Sequence, residues 1–193
     1  GSHQTIEDIS IMRCLPNMQI FTPCDCIEMR KAVLKAAEVD GPVYIRVSRP
    51  DVENVTTEDT PFVPGKATVL REGTDVCIMA IGLMVHEALK AAEMLEKEGI
   101  SAAVVNFGTV KPLDKEMILN MAGKVKGIVT AEEHTVLGGF GSAVAEVVCG
   151  QNVKFAMVGI EDRFGQSGQP DELFKAYGLT AENIYEKCKN VMK

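Results

Sequence analysis

The sequence predicts an α/β fold: an incomplete strand–helix–strand portion at the N-terminal end, followed by a three-layer α/β domain with a mostly parallel sheet. Three observations support this prediction. Short apolar segments recur along the chain, stretches with helical spacing separate them, and Gly, Pro or Asp marks most junctions. Strands that are apolar on both faces and alternate with helices are typical of a parallel sheet covered on both sides.

The first portion, residues 1–60, contains one strand–helix–strand unit and the start of a linker. Asp25, with Glu28 three residues later, is the pattern of a helix N-cap with its acidic partner. The predicted elements are a strand at 19–21, a helix from Asp25 to about Val39, and a strand at 43–47 that ends in Ser48-Arg49-Pro50. Nothing ahead of this unit completes a sheet. Residues 51–66 are acidic, contain prolines and lack periodicity, so we expect them only to connect.

The second portion, residues 61–193, alternates regularly between the two element types. The predicted strands lie at 67–70, 75–81, 102–105, 127–131 and 155–160. The predicted helices lie at 85–95, 115–121 (with Asp114 as N-cap), 142–148, 171–177 and 181–192.

Composition excludes several classes of function. The net charge of −7 and the lack of a basic run argue against nucleic-acid binding. No apolar run approaches the roughly 20 residues that a membrane helix needs. Apolar surroundings of cysteines such as Cys77 indicate free thiols in a reducing cytoplasm. Cys24 and Cys26 lack the usual zinc spacing and have no nearby His, so we expect no metal there.

Arg49 is the candidate binding residue that the pattern itself indicates. It follows an apolar strand and precedes Pro50, and ligands of α/β sheets bind beyond the carboxyl ends of strands. A guanidinium there suits bidentate capture of a phosphate or carboxylate, although a surface salt bridge is the alternative. His86 is expected to be an exposed residue at a helix start.

The segment TAEEHTVLGGFGSAV at 130–144 carries two acids, one His and three glycines between a strand and a helix. Its glycines come too late after the strand, and at the wrong spacing, for a phosphate-binding loop. Glu132, Glu133 and His134 are candidate metal ligands, but one helix face would not collect them. We expect a tight loop that orders a helix start or an interface.

Several motifs, in order, resemble those of transketolases over nearly the whole chain. They are HQTIED at 3–8, LPN at 15–17, TPCD at 22–25, YIRVSRP at 44–50, TVKPLD at 109–114, EH and GG within 133–139, and SGQP at 167–170. The resemblance implies that residues 1–60 are the end of a thiamine diphosphate pyrimidine-binding domain plus linker. It implies that residues 61–193 are the transketolase C-terminal domain.

The resemblance also implies an activity: transfer of a two-carbon ketol unit from xylulose 5-phosphate to an aldose phosphate, in the pentose phosphate pathway. The family uses thiamine diphosphate and Mg²⁺, at a site between subunits. By position, His3 matches the family's catalytic histidine, which contacts the sugar, and Arg49 matches the arginine that holds the sugar phosphate. A cleaved affinity tag also leaves Gly-Ser-His, but the family has Ser/Thr-His-Gln here, so we take His3 as natural.

The family's metal–diphosphate motif and the acid that activates the cofactor have no counterpart in these 193 residues. The chain is therefore expected to be a C-terminal section, inactive alone, in a homodimer or in a heterotetramer with an N-terminal section. The alternatives within the superfamily are a 2-oxo acid dehydrogenase β subunit and a 1-deoxyxylulose-5-phosphate synthase; Ser48-Arg49 favours transketolase. A non-catalytic binding or dimerisation module is the alternative from another class.

Overall fold

The computed structural model describes residues 5–193; His3 lies outside the described residues. The elements are α1 (Asp8–Cys14), β1 (Gln19–Phe21), α2 (Cys26–Glu38), β2 (Val43–Ile45), β3 (Thr68–Arg71), β4 (Val76–Ala80), α3 (Met84–Glu96), β5 (Ala102–Asn106), β6 (Thr109–Lys111), α4 (Lys115–Ala122), β7 (Gly127–Thr135), α5 (Phe140–Val148), β8 (Lys154–Ile160), α6 (Pro170–Tyr177) and α7 (Ala181–Met192). Among the described residues, no helix is long and apolar enough to cross a membrane.

A five-stranded sheet in the order β3-β5-β4-β7-β8 forms the centre of the second portion. Only the β3–β5 pair is antiparallel; the other three pairs are parallel. Helices α3 and α7 pack together over one face, and α4 and α5 pack together over the other. The central strands β4 and β5 are buried along their whole length, as a sheet covered on both faces requires. The predicted three-layer α/β fold is confirmed.

The second sheet joins the two portions of the chain. Strand β1 pairs in parallel with β2 and antiparallel with β6, which belongs to the second portion. The strand added to this unit, β6, comes from downstream in the chain, where no strand was predicted. A three-residue strand carries too little periodicity to be recognised, although Val110 at its centre is only 2% exposed. Ile9 and Ile20 also share one hydrophobic cluster with residues of β4 and β5.

Three boundaries differ from the predicted ones in ways that affect the site. The N-terminal amphipathic stretch forms α1, which had no assigned element. Strand β7 continues through Thr135 rather than ending at Ala131, and α5 begins at Phe140. Strand β2 ends at Ile45, so Arg46 and Arg49 follow the strand. In β7, polar residues continue the strand because the protein interior supplies their hydrogen-bond partners.

Asp25 fastens the linker to the start of α2. One carboxylate oxygen accepts the N–H of Glu28 (2.8 Å), which confirms the predicted N-cap. The other accepts the N–H groups of Val55 (2.9 Å) and Thr56 (2.7 Å), and the Thr56 hydroxyl donates to the first at 2.8 Å. Burial raises the pKa of Asp25, but these hydrogen bonds outweigh it and lower the pKa overall.

Glu28 does not complete the predicted capping box. Its carboxylate accepts the N–H of Cys24 (2.8 Å) and the side-chain amide of Asn106 (2.8 Å), so it links α2 to β5 instead. Lys31 donates to three carbonyl oxygens of the linker, those of Thr57, Glu58 and Thr60. Residues 55–60 are therefore packed against α2, whereas the sequence predicted that residues 51–66 only connect the two portions.

We expect Asp25→Ala to lower the free energy of unfolding by about 2–4 kcal/mol, because several buried N–H groups lose their acceptor. Asp25→Asn, which keeps one acceptor oxygen, should lose less. Urea unfolding measures both, and Asp40→Ala, at an exposed position, is the control, with a change within about 0.5 kcal/mol. Equal losses for Asp25→Ala and Asp40→Ala would contradict the role given to Asp25.

Candidate functional site

Arg49 lies in an exposed bend beyond the carboxyl end of β2. Its side chain makes no hydrogen bond or ion pair with another residue in the range 5–193, so the surface salt bridge considered as the alternative is not formed there. A guanidinium in this position is accessible to an anionic ligand. Thr5 is the first described residue after His3.

Arg46, three residues before Arg49, connects three segments of the chain. Its Nε donates to the Asp8 carboxylate (3.0 Å), and its Nη2 donates to the carbonyl oxygens of Glu133 (2.8 Å) and Thr5 (3.3 Å). These acceptors belong to α1, to the end of β7 and to the segment that follows His3. The Arg46 side chain is 15% exposed, so its guanidinium faces protein groups more than water.

Asp8, Tyr44, Arg46, Glu133 and His134 are called the Arg46 cluster below. The Asp8 side chain is 6% exposed and accepts hydrogen bonds from Arg46 and from the Tyr44 hydroxyl (2.9 Å). Burial and the hydrogen bond to Asp8 raise the pKa of Tyr44 to about 12, so the phenol remains a donor. A buried carboxylate is tolerated only with such partners.

His134 is fully buried and fastens α1 to β7. Its Nε2 accepts the N–H of Ile9 (3.0 Å), and its Nδ1 lies 2.7 Å from the Thr135 carbonyl oxygen, to which it donates. One accepting and one donating nitrogen describe a neutral imidazole. Burial lowers the pKa of His134, in agreement with this state. The ring therefore acts as a fixed structural link.

Glu132 is fully buried and caps the start of α5. Its two carboxylate oxygens accept the N–H groups of Phe140 (2.6 Å) and Gly141 (2.7 Å). Burial raises the pKa of Glu132 to about 7, although these N–H groups pull it down. A Cβ on Gly139 would lie 2.2 Å from a Glu132 oxygen and 2.7 Å from the His134 Nδ1, so only glycine fits there. The glycines permit close packing, as the expected tight loop requires.

Glu133 lies near the cationic part of the Arg46 cluster. Its Oε2 is 3.8 Å from the Arg46 Nη1, is buried, and has no hydrogen-bond partner among the described residues. Burial raises the pKa of Glu133, and the Arg46 charge opposes that rise. Glu132, Glu133 and His134 thus lie on a strand, rather than in a loop. Within residues 5–193, no group of three or more His, Cys, Asp or Glu side chains could hold a metal ion.

His86 lies in the first turn of α3 as expected, but the expected exposure is wrong: the residue is half-buried, and its Nε2 lies 3.0 Å from the Cys24 carbonyl oxygen. Cys24 itself is buried, and burial raises the pKa of its thiol, with the nearby Glu28 adding to the effect. Cys26 is exposed.

Sequence reasoning missed Asp8 and Arg46 as members of the site. Asp8 was visible only as part of the HQTIED motif, and Arg46 only as a charged residue near the end of an apolar strand. A charge at such a position was the available signal, because an arginine close to a buried strand needs a partner from elsewhere.

Two family models match the chain: "Transketolase, pyrimidine binding domain" over residues 1–54, and "Transketolase, C-terminal domain" over residues 65–184. A 6-deoxy-6-sulfo-D-fructose transketolase subunit of Clostridium sp. (strain MSTE9) is 46% identical over 193 residues, covering 99% of this chain and 60% of that protein. A 1-deoxy-D-xylulose-5-phosphate synthase of Heliobacterium modesticaldum is 43% identical over 187 residues, covering 95% of this chain and 29% of that protein.

A solved structure of a split-gene transketolase, described as an inactive β4 tetramer, superposes with a TM-score of 0.94 at 48% identity. The match covers 99% of this chain and 63% of that one. The chain thus spans about 60% of the length of the Clostridium subunit and of the split-gene protein.

The pKa of Glu132 yields a prediction about stability and pH. Because the pKa is raised from 4.5 to about 7, the folded state holds this proton more firmly than the unfolded state does. The free energy of unfolding should therefore fall as the pH rises from 4.5 to about 7. Urea unfolding across this pH range gives the free energy of unfolding of the wild type and of Glu132→Gln, which cannot titrate at this position. The difference between the two proteins isolates the contribution of Glu132.

Glu93→Gln, at an exposed position on α3, is the control for substitution of a carboxylate outside the interior. A wild-type-minus-Glu132→Gln difference that stays level over the window would refute the raised pKa.

Proposed function

The chain belongs to the transketolase family, and on that basis we propose that it is the C-terminal section of a transketolase. The complete enzyme would transfer a two-carbon ketol unit from xylulose 5-phosphate to an aldose phosphate. The observation that supports this proposal most directly is the exposed Arg49 guanidinium beyond β2. Arg49 lies three residues after Arg46, which donates a hydrogen bond to the Thr5 carbonyl oxygen. The similarity to the split-gene transketolase supports the proposal along the whole chain.

Arg49 would bind the phosphate of the sugar, since a guanidinium pairs two N–H groups with two oxygens of a tetrahedral anion. His3 would contact the sugar itself as a catalytic residue. Holding the phosphate fixes the sugar while its distant carbonyl reacts, which lowers the entropic part of the barrier.

Thiamine diphosphate and Mg²⁺ are the proposed cofactors of the complete enzyme. The described residues do not fit the metal, because their carboxylates and imidazoles form no cluster of three. The carboxylates of Asp8 and Glu132 are occupied by hydrogen bonds from the protein. Another section of the complete enzyme would therefore bind the diphosphate and the metal.

The proposed partner is an N-terminal transketolase section, in a heterotetramer, or a second copy in a homodimer. The name of the structural neighbour supports an assembly of several chains, since that protein is a split-gene transketolase whose β4 tetramer is inactive. Inactivity of the present chain alone is part of the proposal. So is a cytoplasmic location, which the six free cysteines support.

Either a phosphate or a sulfonate could be the anionic group of the sugar that Arg49 binds. A sulfonate and a phosphate both present tetrahedral oxygens to a guanidinium, and the Clostridium relative is named for a sulfo-sugar. A phosphate dianion gains more from Arg49 than a sulfonate monoanion does. Comparing xylulose 5-phosphate with 6-deoxy-6-sulfo-D-fructose as donor separates the two possibilities.

The second candidate is a 1-deoxyxylulose-5-phosphate synthase, which the Heliobacterium relative favours. Pyruvate as donor distinguishes it. A 2-oxo acid dehydrogenase β subunit would also consume a 2-oxo acid, whereas a non-catalytic module would turn over neither substrate and would not depend on Arg49.

The test is a ketol-transfer assay with xylulose 5-phosphate, ribose 5-phosphate, thiamine diphosphate and Mg²⁺. We expect activity when the chain is combined with an N-terminal transketolase section, and none from the chain alone. Arg49→Ala should raise KM for the sugar phosphates about tenfold to a hundredfold, because a charge-assisted bidentate contact is lost. Arg71→Ala is the control: Arg71 lies on the edge strand β3, and its guanidinium pairs with Glu96 of α3.

Turnover of pyruvate without ketol transfer would replace the proposal by the second candidate. An unchanged KM in Arg49→Ala would show that the sugar phosphate is held elsewhere.

A further inference from the structure

Arg46 occupies a position that connects the two proposed substrate-binding segments. It lies three residues before Arg49, and it donates to the Thr5 carbonyl oxygen two residues after His3. Its other bonds reach the Asp8 carboxylate in α1 and the Glu133 carbonyl oxygen at the end of β7. The side chain of Arg46 thus joins the loop that carries Arg49 to Thr5, to α1 and to the end of β7.

The guanidinium shape is necessary for this arrangement. Its donors point in fixed directions in one plane, so they can serve a carboxylate on one side and two backbone carbonyls on the other. A lysine ammonium carries a similar charge but no planar fork, and it could serve only part of the set. At 15% exposure, the Arg46 side chain has little water available to replace a lost partner.

The partners of Arg46 are themselves fixed. Asp8 also accepts the Tyr44 hydroxyl, and the next residue, Ile9, donates its N–H to the buried His134. Ser10 donates to the Leu137 carbonyl oxygen at 2.5 Å, and Arg13 donates to the Gly138 carbonyl oxygen at 2.7 Å. Helix α1 is thereby held to the end of β7 and to the loop that follows it, so Asp8 is a fixed partner for Arg46.

Arg49, by contrast, has no partner that orients it among the described residues, and β2 ends at Ile45. The side-chain hydrogen bonds of Arg46, together with its own N–H donated to the Phe21 carbonyl oxygen (2.9 Å), fix the chain directly after the strand. Arg46 is the residue that joins the loop carrying Arg49 to Thr5 and Asp8.

We propose that Arg46 is a positioning residue, which sets the location of the Arg49 guanidinium relative to Thr5 and to Asp8 at the start of α1, and so determines selectivity for phosphorylated substrates. The proposal rests on the proposed function for its kinetic consequence. Its structural consequence is independent of that function.

The kinetic test uses the chain assembled with its N-terminal section, and compares ribose 5-phosphate with ribose as acceptor. Arg46→Gln should lower kcat/KM for ribose 5-phosphate by about tenfold to a hundredfold, as misplacement of a binding group does, and leave that for ribose nearly unchanged. Arg46→Lys should recover part of the loss. In the background of Arg49→Ala, Arg46→Gln should have almost no further effect, because the group it positions is gone.

A purely structural role predicts another pattern: equal losses for both acceptors, additive with Arg49→Ala, and a lower melting temperature as the explanation. That pattern would overturn the proposal. Arg71→Gln, which removes an arginine that is also partly buried and ion-paired, should change neither the selectivity nor the additivity.

The structural test is hydrogen–deuterium exchange on the full chain. Arg46→Gln should speed exchange of amides in both segments, 5–10 and 46–50, while α3 keeps its protection and Arg71→Gln leaves both segments unchanged. Unaltered exchange in either segment would refute the positioning role even if ketol transfer is observed. Faster exchange without any ketol transfer in the wild-type assembly would instead refute the proposed function and retain the link between the segments.

Discussion

The burial of the Asp8 carboxylate is the constraint on which the geometry of the candidate site depends. At 6% exposure, this charge is stable only beside Arg46 and the Tyr44 hydroxyl, which both belong to the segment at β2. Asp8 begins α1, so satisfying its charge fixes the helix against β2 and the end of β7. Removing one partner would leave the other charge in the interior, which is far more costly than losing a surface ion pair. The cluster is therefore formed as a unit.

The same logic joins the two portions of the chain. Strand β1 has neighbours on both sides only because β6 returns from the second portion, and the linker is fixed because Asp25 accepts its N–H groups. Ile20 and Phe21 are fully buried under these contacts. The first portion therefore depends on the second for its order, because β2, which leads to Arg49, pairs with β1, and β1 pairs with β6.

Local sequence patterns predicted the helices whose N-caps and apolar spacing lie within a few residues of each other. Asp25 and Asp114 cap α2 and α4 as predicted, and the apolar spacing of Val85, Ala88 and Leu95 marks the buried face of α3. The missed features depend on partners far away in sequence. Strand β6 exists because β1 lies beside it, and Glu132 and His134 remain in β7 because Phe140, Gly141 and Ile9 supply N–H groups to them. No window of neighbouring residues contains that information.

Arg46 and Arg49 show why residue type alone could indicate an anion site without identifying how it is built. Both are arginines near the end of one strand, and the motif would allow either to bind a ligand. Burial separates them: Arg46 uses its donors on Asp8 and two backbone carbonyls, whereas Arg49 projects into an exposed bend. A binding site needs both conditions, because a free cation without a fixed backbone loses affinity to the entropy of ordering it. In the proposed site, Arg46 would supply that order, and Arg49 would keep its charge for the ligand.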